Sequence, residues 1–175
     1  MGGGSTLIVF SVALQHFFIQ PATLTRPQRL FQDLSVVVGL THGLGLLLLS
    51  SAAGRWAIAG IAMYAVSLAL FLSAIEAARR TPMTHPFVHE PKCDTILSTG
   101  PYRLIRHPIY LAYSLAWLAA PVAMHSVPLG LTAVVMIGCY IVSAREEERR
   151  LASGARGAEY TEYCAHTWRL IPFLY

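Results

Sequence analysis

The chain has 175 residues, of which 55% are apolar and 13% charged, with a formal net charge of +4, and its mean hydropathy is +0.52. Water-soluble domains carry roughly 25% charged residues, so the composition excludes a disordered segment, a nucleic-acid-binding module and an ordinary soluble enzyme. Residues 1–175 fit a single domain by length.

In chain order, residues 5–20 form a short apolar run closed by Pro21. No basic segment precedes it and no small-residue cleavage site follows, so it is expected to be an uncleaved first span. Residues 34–53 and 56–75 are uncharged stretches of the length that carries a helix across roughly 30 Å of hydrocarbon. Residues 109–144 are uncharged throughout, with room for two shorter helices at 109–124 and 127–144. Pro121, Pro128 and the pair His125-Ser126 mark the turn between them, because proline disfavours helix interiors. The expectation is an all-α, multi-pass membrane protein of five helices.

Charge placement supports that count. Five spans put Arg26, Arg29, Arg79, Arg80, Lys92, Arg103, Arg106, Arg145, Arg149, Arg150, Arg156 and Arg169 on one side, and only Arg55 on the other. Basic loops stay in the cytosol, so the N-terminus is expected outside and the C-terminus inside. All nine acidic residues fall on the cytosolic side, and the chemistry is expected there. Cys93, Cys139 and Cys164 are widely separated and no disulfide framework is expected.

The connector before the fourth span holds Pro82, Pro86, Pro91, Pro101 and Pro108. Each removes a donor and biases its predecessor towards extended structure, so the connector reads as ordered and largely non-helical. Thr99-Gly100-Pro101-Tyr102 is a turn signal, and His107-Pro108 is a helix start whose free N–H groups suit a carboxylate or phosphate. An interface anchor of arginines and tyrosines fits the same residues. After the fifth span comes Arg145-Glu146-Glu147-Glu148-Arg149-Arg150-Leu151. Glu146 can pair with Arg149 and Arg150 at i+3 and i+4 on a solvated face. Glu147 and Glu148 lie one turn before Leu151 and are the better candidates for a pocket, though an ordinary charged helix extension explains the run as well. His85 and His89 are separated by Pro86, which argues against a helical metal pair, and no metal site is expected. His42 sits within Gly39-Leu40-Thr41-His42-Gly43, a close-packing pattern, and is expected to be a neutral packing residue.

Taken together, Gly100-Pro101-Tyr102, Arg106-His107-Pro108-Ile109-Tyr110, Glu146-Glu147-Glu148, Gly157-Ala158-Glu159-Tyr160-x-x-Tyr163 and Arg169-Leu170-Ile171-Pro172 resemble the isoprenylcysteine carboxyl methyltransferase family. More broadly, the chain is similar to the phospholipid methyltransferase-like integral membrane enzymes. The resemblance covers the chain from near residue 90 to its end. It implies S-adenosylmethionine as cofactor, bound on the cytosolic side between the loop 85–108 and the tail 145–175, with a lipid-like substrate arriving from the bilayer and no nucleic acid involved. Carried over by position, the cofactor contacts are Asp94, Thr95, Ile96, Leu97, Tyr102, His107, Pro108, Ile109, Tyr110, Glu147 and Glu148. The carboxyl methyltransferases are expected to hold the substrate carboxylate with an arginine four residues before the first of the three glutamates. Here that position is Val142, and Arg145, one turn nearer the tail, is its stand-in for positioning substrate. A phenylalanine usual before the tail glycine is Arg156 here. Phospholipid, amine or thiol methylation is the alternative, and beyond it stand an NADPH-dependent membrane reductase with a similar Arg-His-Pro-x-Tyr segment and a non-enzymatic membrane scaffold.

Overall fold

A computed structural model describes residues 56–80 and 96–175. The expected spans at 5–20 and 34–53, the candidates Asp94 and Thr95, and His42, His85 and His89 lie outside the described residues. Those described form four α-helices: α1 (Ala57–Arg80), α2 (Pro108–Met124), α3 (Val127–Ala152) and α4 (Gly157–Ala165). At 1.5 Å per residue, α1 and α3 are about 36 and 39 Å long, enough to cross a bilayer. Both are apolar enough to do so, and most of their apolar surface is unburied. Ile58, Ile61 and Leu72 on α1 and Leu131, Val134 and Val142 on α3 point outward, the reverse of a helix built for water.

Small side chains set how α1 meets α2. A Cβ on Gly60 would lie 2.6 Å from the Ala123 Cβ and 2.7 Å from the Ala119 carbonyl oxygen, so only glycine permits this approach. Ala112, Ala116, Ala119 and Ala120 are buried on α2 and Ala74 and Ala77 on α1. Ser67 Oγ crosses the seam to donate to the Ala112 carbonyl at 2.6 Å. Where the surroundings are as apolar as the side chains, close van der Waals packing and such bonds hold helices together. The α2–α3 seam is aromatic instead, with Tyr110, Tyr113 and Trp117 packed on Met136 and Tyr140. Trp117 Nε1 donates to Tyr140 Oη at 3.0 Å.

The turn between α2 and α3 is His125-Ser126, as the sequence indicates. His125 adopts a left-handed conformation (φ 50°), and the Ser126 hydroxyl caps α3 by accepting from Leu129 N at 3.4 Å. Pro128 stands in the first turn of α3, where its missing donor costs nothing. Pro121 is a correction: it lies inside α2, in the last turn, where one lost hydrogen bond is tolerated and its carbonyl still accepts from Ser126 N. α1 also runs past residue 75 to Arg80, so the connector is helical over its first residues.

Within the second half of the connector, Gly100–Arg103 is a 3-10 turn. Gly100 takes φ +55°, and a Cβ there would lie 3.0 Å from Ala77 Cβ, so the turn packs on the end of α1. At the far end of the chain, α4 doubles back from α3, with Gly157 so close to the Ala152 carbonyl that no side chain fits. The tail then runs beside residues 104–107. Trp168 N donates to Leu104 O at 2.9 Å, Arg106 N to Trp168 O at 2.7 Å and His107 N to Arg169 O at 3.1 Å, a short parallel pairing of Ile105 with Trp168.

Candidate active site at the charged end of the helices

That pairing delivers Arg106, His107 and Arg169 to the glutamates at the end of α3. Glu148 is the hub, its side chain 11% exposed. Arg106 Nε donates to its Oε1 at 2.7 Å, and Arg169 donates to its Oε2 from Nε at 2.8 Å, with Nη2 at 2.6 Å. Arg106 Nη1 also donates to the carbonyls of Cys164, at 3.1 Å, and Thr167. One carboxylate therefore ties together α3, the segment before α2 and the tail. Burial pushes the Glu148 carboxyl up, but His107, Arg169 and Arg106 together outweigh it and hold the group well below the usual carboxylate range. A second tie is Tyr163 Oη, which donates to the Tyr102 carbonyl at 2.6 Å.

Glu147, its neighbour, is different. Tyr110 Oη donates to its Oε2 at a long 3.4 Å, and His107 Nδ1 stands 3.7 Å from the same oxygen. Burial pushes its carboxyl up, with His107 and Tyr110 offsetting part of the effect. Its side chain nevertheless keeps 30% of its surface accessible, so it is half-buried beside His107 and Tyr110. Tyr102 belongs to the same neighbourhood: burial first, then the charge of Glu147, raises its phenol. Behind Glu147 the rings stack, His107 on Tyr110 with centroids 5.4 Å apart and Tyr110 on Tyr140 at 5.6 Å, in a column that leads along the α2–α3 seam.

Glu146 occupies the solvated face, accepting from Arg149 at 3.0 and 2.9 Å and from Arg150 at 3.0 Å. Those bonds lower its carboxyl to about 2. The helix-face argument thus separates the three glutamates as the sequence does. Of the other candidates, Leu97, His107 and Pro108 are buried, while Ile96, Tyr102, Ile109 and Tyr110 are partly so. Arg145 is exposed and donates from Nε to Tyr175 Oη at 2.8 Å, directed at the tail. Val142 is 65% exposed on the outer face, away from Glu147. The sequence-based assignment omits Arg106 and Arg169 from the site. Both open motifs named above, but their charge alone does not distinguish a partner of Glu148 from a membrane-side anchor.

A sequence model of the phospholipid methyltransferase family matches residues 56–154, a stretch that begins with α1 and takes in the 3-10 turn, α2 and all of α3. The chain belongs to the phospholipid methyltransferase family. This is a family of integral membrane methyltransferases that includes the isoprenylcysteine carboxyl methyltransferases, so the protein is a membrane methyltransferase. No curated protein and no solved structure matches the chain.

Proposed function

We propose that the protein transfers a methyl group from S-adenosylmethionine to a lipid-like acceptor that enters from the bilayer, at a site formed by Glu147, His107, Tyr110 and Tyr102. The observation that supports this most is the contrast within the glutamate run: Glu148 is saturated by arginines, whereas Glu147 is half-buried and weakly partnered. A carboxylate of that kind suits the cationic, hydroxyl-bearing cofactor. Two further features fit it. His107, the N-cap of α2, makes no capping bond with its side chain, and the first-turn amides of Ile109 and Tyr110 lack intrahelical acceptors, which suits a cofactor carboxylate. The buried His107 Nε2 has no well-directed hydrogen bond among the described residues, although Glu148 Oε1 is 3.3 Å away.

On this reading Ile96, Leu97, Tyr102, His107, Pro108, Ile109, Tyr110 and Glu147 hold the cofactor, with Asp94 and Thr95 completing the loop, and Glu148 acts from behind by fixing His107. When bound, S-adenosylmethionine supplies a methyl group on a positively charged sulfur, open to in-line displacement. The protein then has to orient an acceptor atom and keep water out, and orientation alone lowers such a barrier by about 7–11 kcal/mol. The guanidiniums that approach this site, Arg106 and Arg169, are already committed to Glu148, and Val142 carries no charge. This favours an amine headgroup over a carboxylate as acceptor. An ammonium must lose a proton before its nitrogen can attack, and Glu147, its carboxyl raised by burial, is the base positioned to take it.

The test is methyl transfer from radiolabelled S-adenosylmethionine to vesicles containing phosphatidylethanolamine or to a prenylated cysteine. Base-stable label in the phosphatidylethanolamine fraction is expected, as for an N-methyl group. Base-labile label in the prenylcysteine would identify a methyl ester and overturn the amine assignment. No label in either would overturn the proposed reaction.

A further inference from the structure

We propose that the turn formed by residues 171–175 is a lipid-contacting foot, which sets Phe173 and Leu174 into the bilayer surface where α3 leaves the hydrocarbon. This goes beyond the proposed reaction and does not depend on it. The turn is closed by Leu170 N and Ile171 N, both donating to Tyr175 O at 2.8 Å, and by Tyr175 N donating to Ile171 O at 2.9 Å. Phe173 takes φ 67°, a conformation that non-glycine residues rarely adopt. The closed turn leaves Phe173 81% and Leu174 79% exposed. A water-soluble surface seldom presents two such side chains together.

The level of the turn is fixed by Tyr175. Its hydroxyl accepts from Arg145 Nε at 2.8 Å and from Arg169 Nη1 at 2.7 Å. Arg145 is the first charged residue after the uncharged stretch 109–144, so the foot is held within one turn of the point where hydrocarbon gives way to headgroups. It is also on the lipid-facing side. Val142 and Arg145 are three residues apart on α3 and share a face, and that face continues the outward Leu131, Val134 and Val142. Arginine and tyrosine at the rim with apolar groups beside them is the pattern of a membrane-interface anchor. Arg169 links the foot to the clamp, because it holds Tyr175 and Glu148 at once.

The full chain, reconstituted in phosphatidylcholine–phosphatidylglycerol vesicles, provides the test. A nitroxide at Leu174→Cys, with Cys93, Cys139 and Cys164 changed to serine, is compared with one at Ala155→Cys beyond the end of α3. Residue 174 is expected to show a several-fold higher ratio of oxygen to aqueous nickel collisions than residue 155. Equal ratios would place the foot in water. Shielding from both reagents would mean that another part of the chain, or a second copy, covers it. Either result overturns the proposal. On the unaltered chain, a phospholipid with a photoactivatable acyl chain is expected to label the peptide containing residues 170–175, and absence of label there, with α3 labelled, would overturn it too.

Discussion

Glu147 and Glu148 are neighbours on one helix, yet they end two different regions of the molecule. Around Glu148 the guanidinium contacts are short, with two arginines from segments 63 residues apart in the chain meeting on one carboxylate. Around Glu147 contacts are long, the carboxyl is raised by burial, and the side chain is left partly accessible. Buried ion pairs contribute little net stability over a well-packed apolar alternative, but they are costly to break singly. On the proposed reading, the Glu148 region holds three segments of the chain in register and does not itself carry the chemistry. The Glu147 region leaves its hydrogen-bonding capacity partly unused among the described residues, as a ligand site does.

Breaking the first region should cost the most. Glu148→Ala leaves Arg106 and Arg169 facing each other without a counter-charge and is expected to lower stability by about 3 kcal/mol, read as loss of thermal stability in detergent. A wild-type-like melt would show that the clamp is ornamental.

Acid probes the same contact. The folded Glu148 carboxyl lies below its unfolded value of about 4.3, so its contribution is complete above that pH and is lost as the pH falls towards the folded value. Between about pH 5 and pH 3 the wild type is expected to lose more thermal stability than Glu148→Gln, which has no proton to gain. Parallel losses would contradict the linkage.

Smaller again is Tyr163→Phe, which removes the bond to the Tyr102 carbonyl and is expected to cost about 1 kcal/mol. Its effect sharpens the contrast only if cofactor affinity falls less than it does for Glu147 substitutions. At the bottom of the scale, Glu146→Gln removes only solvent-exposed pairs, so its melting temperature should match that of the wild type.

Much of this was legible in the sequence, and for identifiable reasons. The uncharged stretch 109–144 is too long for one helix and too greasy for water, and the polar pair at 125–126 shows where it bends. Helical angles put Glu146 on the face of Arg149 and Arg150 and make Glu147 and Glu148 the better inward candidates, without excluding a plain charged helix extension. Pro121 misleads because proline marks helix ends only on average, and the last turn of α2 absorbs it. Arg106 and Arg169 were not separable from topology anchors, since their partner is fixed only when the tail pairs with residues 104–107. That pairing uses backbone groups, which leave no trace in side-chain patterns. The foot at Phe173 is equally silent: its exposure follows from a left-handed turn held by a tyrosine thirty residues from its arginine.

The most direct test titrates S-adenosylmethionine calorimetrically into wild type, Glu147→Gln and Glu146→Gln, with thermal melts to confirm that all three are folded. Loss of a charge-assisted hydrogen bond should weaken binding roughly 10- to 100-fold in Glu147→Gln, while Glu146→Gln binds as the wild type does. Equal affinities for the two variants would contradict the account, because the cofactor would then lie elsewhere than beside Glu147.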